Sequence, residues 1–321
     1  MFKSQYSLIL MFHRVGLRDP KRIAANQNMV IEPSELEWLV SNARKRGWSF
    51  VSIEELVGII SLRRRVPKLI ALTFDDGYRD NYAEAYPILR GLDVPFCVYI
   101  TQNFIENRTR PWWYELESVL AAKDEFSDLF GVRYITKSLC DKNRAFMAIR
   151  QILMYDKNSQ KILSLMRDSI SLARDAECSH RLFMTWDEVR MLSTSPLVTI
   201  GAHTKTHSAL AKLTDKDAYD EIIVTRSNLE RNLGREVRHL AFPFGGPSEI
   251  SSRDIAFAKD GGYRSAVATH FGAIRTDKLQ ELYALPRLFV GPQFSLGRTE
   301  FNIFKRGVKR AALDLLGLRN E

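Results

Sequence analysis

The sequence predicts an α/β protein, and two observations carry this prediction. Short runs rich in β-branched and aromatic residues alternate with stretches of helical periodicity, which indicates parallel βαβ units arranged as a barrel or a doubly wound sheet. The 321 residues are 45% hydrophobic and 26% charged, as in ordinary globular domains. With 17 glycines and 11 prolines in the chain, fibrous and low-complexity structures are excluded.

Six runs are predicted to be buried strands, and they set the frame for the other elements. Residues that directly follow these runs are the first candidates for a functional site, because α/β proteins place their active sites at the carboxyl ends of strands. The predicted strands are Ser7–Phe12, Leu69–Phe74, Phe96–Thr101, Val198–Ala202, His239–Phe242 and Ala266–Thr269.

Helical signals fill most of the intervals between these strands. Pro33–Arg46 has a proline in its first turn and one apolar stripe. Thr185–Leu192 begins with a Thr-x-x-Glu capping box. Lys216–Leu233 and Ser252–Gly261 are each followed by a glycine suited to a helix C-terminus, and Asp80–Leu92 is predicted as a further helix.

The stretch from Phe104 to Arg181 interrupts this alternation. It has few strand signals and several helical ones, at Trp113–Ala122, Phe146–Tyr155 and Ile162–Ala173. We interpret 104–181 as a helical insertion, since βα connections usually have only about 2–6 residues.

The predicted organisation is one main domain built from 1–103 and 182–297, with a terminal helix over 298–321. The insertion carries two adjacent tryptophans, Trp112 and Trp113. They either pack the insertion against the main domain or form a sugar-stacking or partner surface.

The strongest chemical signal is a pair of carboxylates at the end of a predicted strand. Leu69–Phe74 is followed by Asp75 and Asp76, and then by Gly77, which permits a tight turn. Adjacent residues at a strand end point in different directions, so one carboxylate could bind a metal while its neighbour takes a proton. Taken alone, the pair is also explained by a turn or a helix cap.

A second signal follows the predicted strand Val198–Ala202. His203 and His207 are four residues apart, and a helical turn would put both imidazoles on one side. Six histidines in 321 residues give only about 0.1 such pair by chance, but a lone pair still carries a false-positive risk. The position of this histidine pair at the end of a second predicted strand strengthens the prediction of a metal site. Two histidines and one aspartate leave a coordination position open for water, as in catalytic zinc sites.

Both segments resemble motifs of the polysaccharide deacetylases, the NodB-homology or carbohydrate esterase 4 family. Thr73–Gly77 (TFDDG) resembles the first motif and His203–His207 (HTKTH) the second. Met11–Val15, Phe242–Gly245 and Leu285–Arg287 are similar to the subgroup that includes poly-N-acetylglucosamine and exopolysaccharide-cluster deacetylases.

The resemblance covers about residues 5–103 and 183–295, and it implies a distorted (β/α)7 barrel. It also implies hydrolysis of an N-acetyl group on an amino sugar of a surface or capsular glycan, or of its lipid-linked precursor. Asp75 would be the catalytic base. One divalent metal is implied, with zinc as the first choice and nickel or cobalt as alternatives. Its implied ligands are Asp76, His203 and His207.

General chemistry supports these separate roles for Asp75 and the implied metal ligands. A metal lowers the pKa of a bound water and polarises the amide carbonyl, and a carboxylate beside the cation can remove the proton of the water. A backbone N–H within Phe244–Gly246 is expected to stabilise the oxyanion together with the metal. The predicted substrate contacts are Phe244, Gly245, Trp112 and Trp113.

The chain departs from the family pattern at two positions. Ala241 stands where the third motif usually has an arginine, and Arg287 is the predicted replacement as charge partner of Asp75, with a surface ion pair as the alternative. The histidine of the last motif is missing, because no histidine follows Arg287. His13, at the end of the first strand, is the predicted general acid, with a buried structural role as the alternative. The remaining histidines are interpreted as structural (His239 and His270) or as a loop residue (His180).

The net charge of +9 favours acidic partners, although no nucleic-acid motif accompanies it. The terminal helix is basic and amphipathic, which is typical of an interfacial membrane helix; docking on the main domain is the alternative. Its basic residues are Lys305, Arg306, Lys309 and Arg310. Leu8–Phe12 is too short for a signal-peptide core or a membrane span. We therefore expect a cytoplasmic protein, peripheral to the inner face of the membrane.

Two other function classes stay open at the level of sequence. One is an amide hydrolase or deformylase that acts on a non-polysaccharide amino sugar. The other is an inactive carbohydrate-binding relative, which the complete set of two aspartates and two histidines disfavours and Ala241 keeps open. Three cysteines are too few for a disulfide framework.

Overall fold

The structure is a computed structural model that describes residues 6–62, 68–127, 131–155, 182–275, 282–303 and 305. Strands and helices alternate over most of this length, as the sequence predicts. The strands are β1 (Tyr6–Phe12), β2 (Arg14–Val15), β3 (Val30–Ile31), β4 (Ser49–Phe50), β5 (Leu69–Phe74), β6 (Phe96–Ile100), β7 (Glu125–Ser127), β8 (Arg133–Ile135), β9 (Val198–Ala202), β10 (His239–Ala241), β11 (Ser265–Val267), β12 (Ile274–Arg275) and β13 (Leu288–Phe289).

One curled sheet forms the centre of the molecule, and its main strands run parallel in the order β11-β10-β9-β6-β5-β1. The segment between β11 and β13 joins the two edges of this sheet, because Leu285 bridges Val267 of β11 while β13 pairs with β1. The α/β class and the barrel-type curl predicted from the sequence are confirmed.

Helices cover the sheet, and several of them begin or end at the predicted capping signals. They are α1 (Ala24–Gln27), α2 (Pro33–Lys45), α3 (Ile53–Ser61), α4 (Tyr86–Gly91), α5 (Gln102–Ile105), α6 (Trp112–Ala122), α7 (Leu139–Tyr155), α8 (Trp186–Ser193), α9 (Asp215–Tyr219), α10 (Thr225–Leu233) and α11 (Ser252–Asp260). The capping box of α8 forms between Thr185 and Glu188, and α10 ends at Gly234 with a φ of 67°.

Short turns of π-helix, Asn81–Ala85 and Asp220–Val224, precede α4 and α10. The predicted helices Asp80–Leu92 and Lys216–Leu233 are therefore each divided by a change of hydrogen-bond pattern. The predicted strands His239–Phe242 and Ala266–Thr269 end earlier, at Ala241 and Val267.

The described part of the predicted insertion is mainly helical, but it also contains a small β-ribbon that the sequence does not predict. The ribbon pairs β7 with β8 in antiparallel fashion. Each strand has only three residues, too few for an alternating pattern to stand out. Helix α7 begins at Leu139, seven positions before the predicted start at Phe146. The predicted helix Ile162–Ala173 and His180 lie outside the described residues.

The terminal helical segment starts at residue 296, inside the range predicted for the main domain. Its Glu300 accepts hydrogen bonds from Arg46, Trp48 and Lys68, so its first turns dock on the barrel. Arg306, Lys309 and Arg310 lie outside the described residues. Across the described ranges, no helix is long and apolar enough to cross a membrane.

Candidate active site

Parallel strands bring the predicted site residues to one end of the barrel. His13 follows β1, Asp75 and Asp76 follow β5, and His203 follows β9. Backbone hydrogen bonds continue past the strand ends and fix this register. The N–H of Asp75 donates to the carbonyl of Phe12 at 3.0 Å, and the N–H of His203 donates to the carbonyl of Ile100 at 2.8 Å.

The backbone turns sharply at the candidate ligands. Asp76 has a φ of 75° and His207 a φ of 60°, in the left-handed region that non-glycine residues rarely adopt. Each such residue costs on the order of 1–3 kcal/mol. Gly77 follows with a φ of 81°, and a Cβ there would lie 3.1 Å from the side chains of Ile100 and Ile105. The turn after β5 therefore requires glycine at this position.

Asp75 forms a bidentate ion pair with Arg287. The two terminal nitrogens of the guanidinium donate to the two carboxylate oxygens, each at 2.7 Å, and Nε donates to the carbonyl of Ala268 at 3.2 Å. Arg287 is 1% exposed and Asp75 is 2% exposed. Burial excludes the surface ion pair that the sequence left as an alternative.

The two aspartates are both held in the ionised form. Burial alone would raise their pKa values. For Asp75, the charge and hydrogen bonds of Arg287 outweigh burial, so that the pKa of this carboxyl lies below its ordinary value. For Asp76, the pKa is lowered mainly by the neighbouring His207.

Asp76, His203 and His207 form a compact cluster, with one ligand atom of each within 4.8 Å of the others. Oδ1 of Asp76 lies 3.4 Å from Nε2 of His203 and 3.2 Å from Nε2 of His207. This buried oxygen has no hydrogen-bond partner among the described residues, although buried carboxylate oxygens are normally bonded.

The surroundings of His203 prepare its Nε2 atom for a ligand. Nδ1 lies 2.7 Å from the carbonyl oxygen of Ala241, which assigns the ring proton to Nδ1 and leaves the lone pair of Nε2 directed at the cluster. Burial lowers the pKa of His203 to about 4, so the ring is neutral at pH 7. Nitrogen from neutral imidazoles and oxygen from one carboxylate suit a divalent zinc-type ion. The unpartnered oxygen and this donor set fit such an ion.

Aromatic rings enclose His207. Ring centroids lie at 4.8 Å for Phe244, 5.1 Å for Trp113 and 5.9 Å for Phe104. Trp113 also donates from Nε1 to the hydroxyl of Tyr78 at 3.3 Å. The insertion therefore takes part in fixing a candidate metal ligand.

A cavity of about 620 Å³ opens over the cluster. Asp75, Asp76 and both clustered histidines form part of its lining, together with Trp112, Trp113 and Phe244. Gly245 is not among the lining residues. Its N–H donates to the carbonyl of Pro243 at 2.6 Å. This hydrogen bond occupies the N–H of Gly245, and the role of Gly245 as a substrate contact stays a prediction.

His13 lines the same cavity. Its Nδ1 atom is buried and has no hydrogen-bond partner among the described residues. Burial lowers the pKa of His13, and the charges of Asp76 and Asp75 oppose this effect only in part. The geometry brings His13 together with both aspartates, as its predicted role requires.

Beside the predicted Trp112 and Trp113, helices α1 and α7 form a wall of the cavity that the sequence prediction missed. Glu117, on α6, is 6% exposed and connects α6 to the residues in and just before α1. It accepts bonds from Arg22 at 2.7 and 3.0 Å, from the N–H of Ile23 at 3.1 Å and from Asn26 at 2.8 Å. These partners are 91–95 positions away along the chain, so no local sequence pattern predicts these hydrogen bonds.

Among the described residues, the other histidines apart from His13 take no part in the cluster. His239 starts β10 and lies between Glu54 and Ser265. His270 is exposed on the loop after β11, and its structural role stays a prediction.

A curled parallel sheet that carries an Asp/His/His cluster and an Arg-paired aspartate at its carboxyl end defines an α/β barrel with a candidate hydrolase site. A family model described as "Polysaccharide deacetylase" matches residues 63–266. The chain belongs to the polysaccharide deacetylase family of hydrolases, and the resemblance seen in the sequence is confirmed.

Solved structures of low sequence identity share the fold. The deacetylase PplD of Streptococcus pyogenes, solved in complex with acetate, superposes with a TM-score of 0.62 at 17% identity, covering 94% of this chain and 99% of that one. IcaB from Ammonifex degensii superposes with a TM-score of 0.58 at 16% identity, covering 90% and 93%.

A curated relative from Bacillus subtilis, the polysaccharide deacetylase YxkH, is 25% identical over 101 residues. The match includes 31% of this chain and 33% of that protein. This chain thus spans about a third of the length of that relative.

Proposed function

We propose that the protein is a metal-dependent N-deacetylase that hydrolyses the N-acetyl group of an amino sugar in a surface or capsular glycan or its lipid-linked precursor. The observation that carries the proposal is the juxtaposition of an unpartnered Asp76 Oδ1, the imidazoles of His203 and His207, and the Arg287-paired Asp75 in one cavity. The similar deacetylase PplD was solved with acetate, the acid that such a reaction releases.

Asp76, His203 and His207 would hold the metal ion. The ion would supply Lewis-acid chemistry. Asp75, kept ionised by Arg287, takes a proton from the attacking water, whose oxygen bonds to the acyl carbon. His13 gives a proton to the sugar nitrogen as the carbon–nitrogen bond breaks, so acetate and a free amino sugar leave.

Acetate release from a panel of N-acetylated glycans and lipid-linked sugars, combined with metal analysis, tests the proposal. One equivalent of zinc and zinc-dependent acetate release are expected, with nickel or cobalt as substitutes after chelation. Release of formate instead of acetate would indicate a deformylase. A metal-loaded protein that binds these sugars and releases neither acid would be an inactive carbohydrate-binding relative, and the proposal would be wrong.

We also propose that the basic terminal segment brings the protein to an anionic membrane surface, on the cytoplasmic side. Each basic residue near such a surface contributes about 1 kcal/mol. Glu300 docks on the barrel, so truncation would disturb the fold, and substitution is the better test. Glutamine at Lys305, Arg306, Lys309 and Arg310 should reduce sedimentation with anionic liposomes and leave neutral liposomes unaffected. Unchanged sedimentation would contradict membrane contact.

A further inference from the structure

One face of α7 lines the cavity, and it carries a charge that the proposed hydrolysis does not use. Its lining residues occupy positions i, i+3, i+4, i+7 and i+11 of the helix, so they share one side of it. They are Asn143, Phe146, Met147, Arg150 and Met154. Asn143 accepts a bond from the N–H of Ala24 at 2.7 Å, which fixes this face against α1.

Arg150 is the one lysine or arginine among the described lining residues. It is half-buried, and no carboxylate pairs with it in the described part of the chain. The two lining carboxylates have other partners: Asp75 binds Arg287 and Asp76 faces the histidines. A half-buried guanidinium without a counter-charge is costly, and a bound anion would offset that cost.

The neighbours of Arg150 on this face are apolar. Phe146 and Met154 are 1% and 8% exposed, while Met147 is 51% exposed. Methionine side chains are flexible and polarisable, so they adapt to apolar chains of varied shape. The wall thus combines one cation with a methionine-rich surface.

We propose that this wall is a subsite for an anionic, amphiphilic substituent of the substrate. Arg150 binds a phosphate or carboxylate through its planar donors, and Met147 and Met154 contact an apolar chain attached to it. The inference deepens the proposed function, on which it rests: the substrate class is an N-acetylated sugar that carries an acidic group with an apolar tail.

Octyl phosphate and octanoate, below their micelle concentrations, test the subsite without knowledge of the sugar. Binding is measured by calorimetry in the metal-loaded protein and again after chelation, so that an anion held by the metal is told apart. Octyl glucoside is the neutral probe. The variant is Arg150→Gln, and Arg144→Gln is its matched control, because Arg144 lies on the same helix with a side chain 76% exposed and paired with Asp141.

Arg150→Gln should weaken binding of the preferred anionic probe roughly tenfold to a hundredfold and leave octyl glucoside unchanged, while Arg144→Gln matches the parent protein. The tighter of the two anions identifies the acidic group. Equal binding by parent and Arg150→Gln, or no binding of any probe by the parent, would overturn the subsite. Acetate release is scored separately, so failure of the subsite and failure of the deacetylase proposal give different results.

Discussion

Two buried histidines lie at opposite ends of the barrel strands, and they differ in how their ring nitrogens are used. His239 has a partner on each nitrogen, with Nδ1 2.9 Å from the hydroxyl of Ser265 and Nε2 2.7 Å from a carboxylate oxygen of Glu54. His203 uses Nδ1 alone, on the carbonyl of Ala241 at 2.7 Å. Burial lowers the pKa of each ring to about 4.

The difference separates a structural histidine from a candidate ligand. Burial and a lowered pKa are common to both, so neither property marks function by itself. What distinguishes His203 is a free Nε2 that faces Asp76 Oδ1, a buried oxygen without a hydrogen bond among the described residues. Buried polar atoms that the fold leaves unsatisfied indicate where a ligand belongs.

The largest expected effect tests the difference between His203 and His239 directly. His203→Ala should abolish stoichiometric zinc binding and activity together, because the cluster loses one of three ligands. His239→Gln should keep its metal and lower the melting temperature instead. Metal content per folded molecule and thermal unfolding are measured on both variants. Full zinc occupancy in His203→Ala would disprove the ligand assignment.

A second substitution separates the two aspartates. Asp75→Asn should retain most of the metal and lose on the order of 10²–10⁴ in rate, the usual contribution of general acid–base catalysis. Asp76→Asn, one position along, should lose metal and rate in parallel. If Asp75→Asn also releases the metal, the roles of the two carboxylates have been exchanged.

The role of His13 is tested by the pH dependence of the rate. A general acid must be protonated, and burial lowers the pKa of His13 below its ordinary value of 6.5, so the activity of the parent protein should fall as the pH rises through this lowered pKa. His13→Ala should remove that decline and leave a residual rate roughly 10²-fold lower. An unchanged pH profile would favour the structural alternative for this residue.

The smallest effect concerns His239 and stability. Burial lowers the pKa of His239 from 6.5 to about 4, so the unfolded chain takes up this proton at a higher pH than the folded chain. The free energy of unfolding should therefore fall as the pH drops from 6.5 towards 4, by up to about 3 kcal/mol from this residue. His239→Gln should show a shallower slope in urea titrations across this window. Parallel slopes would contradict the neutral, doubly bonded state.

Much of the fold and of the candidate metal site could be predicted from the sequence, because both depend on local patterns. Asp75, Asp76 and His203 directly follow strands whose apolar runs are continuous, and parallel pairing then fixes their meeting point. Arg287 could be predicted as the charge partner of Asp75, because a buried carboxylate without a counter-charge would be unstable.

The cavity wall could not be predicted in the same way. The face that α7 presents depends on contacts such as that of Ala24 with Asn143, which are 119 positions apart. Arg150 and its apolar neighbours follow a helical spacing that surface helices commonly share, so this pattern alone does not identify a cavity wall. Gly245 shows a different limit of sequence analysis: its φ of 65° and the 2.8 Å approach of a Cβ to the backbone of Thr269 explain a glycine there without substrate.

We expect the position of Arg287 along the chain to matter while the protein is being synthesised. It lies in the segment that connects β11 to β1, nearly the last part of the barrel to leave the ribosome. A nascent chain that has reached residue 275 contains Asp75, Asp76, His203 and His207, yet the partner that keeps Asp75 ionised is still missing. We therefore expect Asp75 to gain its ion-pair partner only when the barrel closes, so that incomplete chains lack this paired carboxylate.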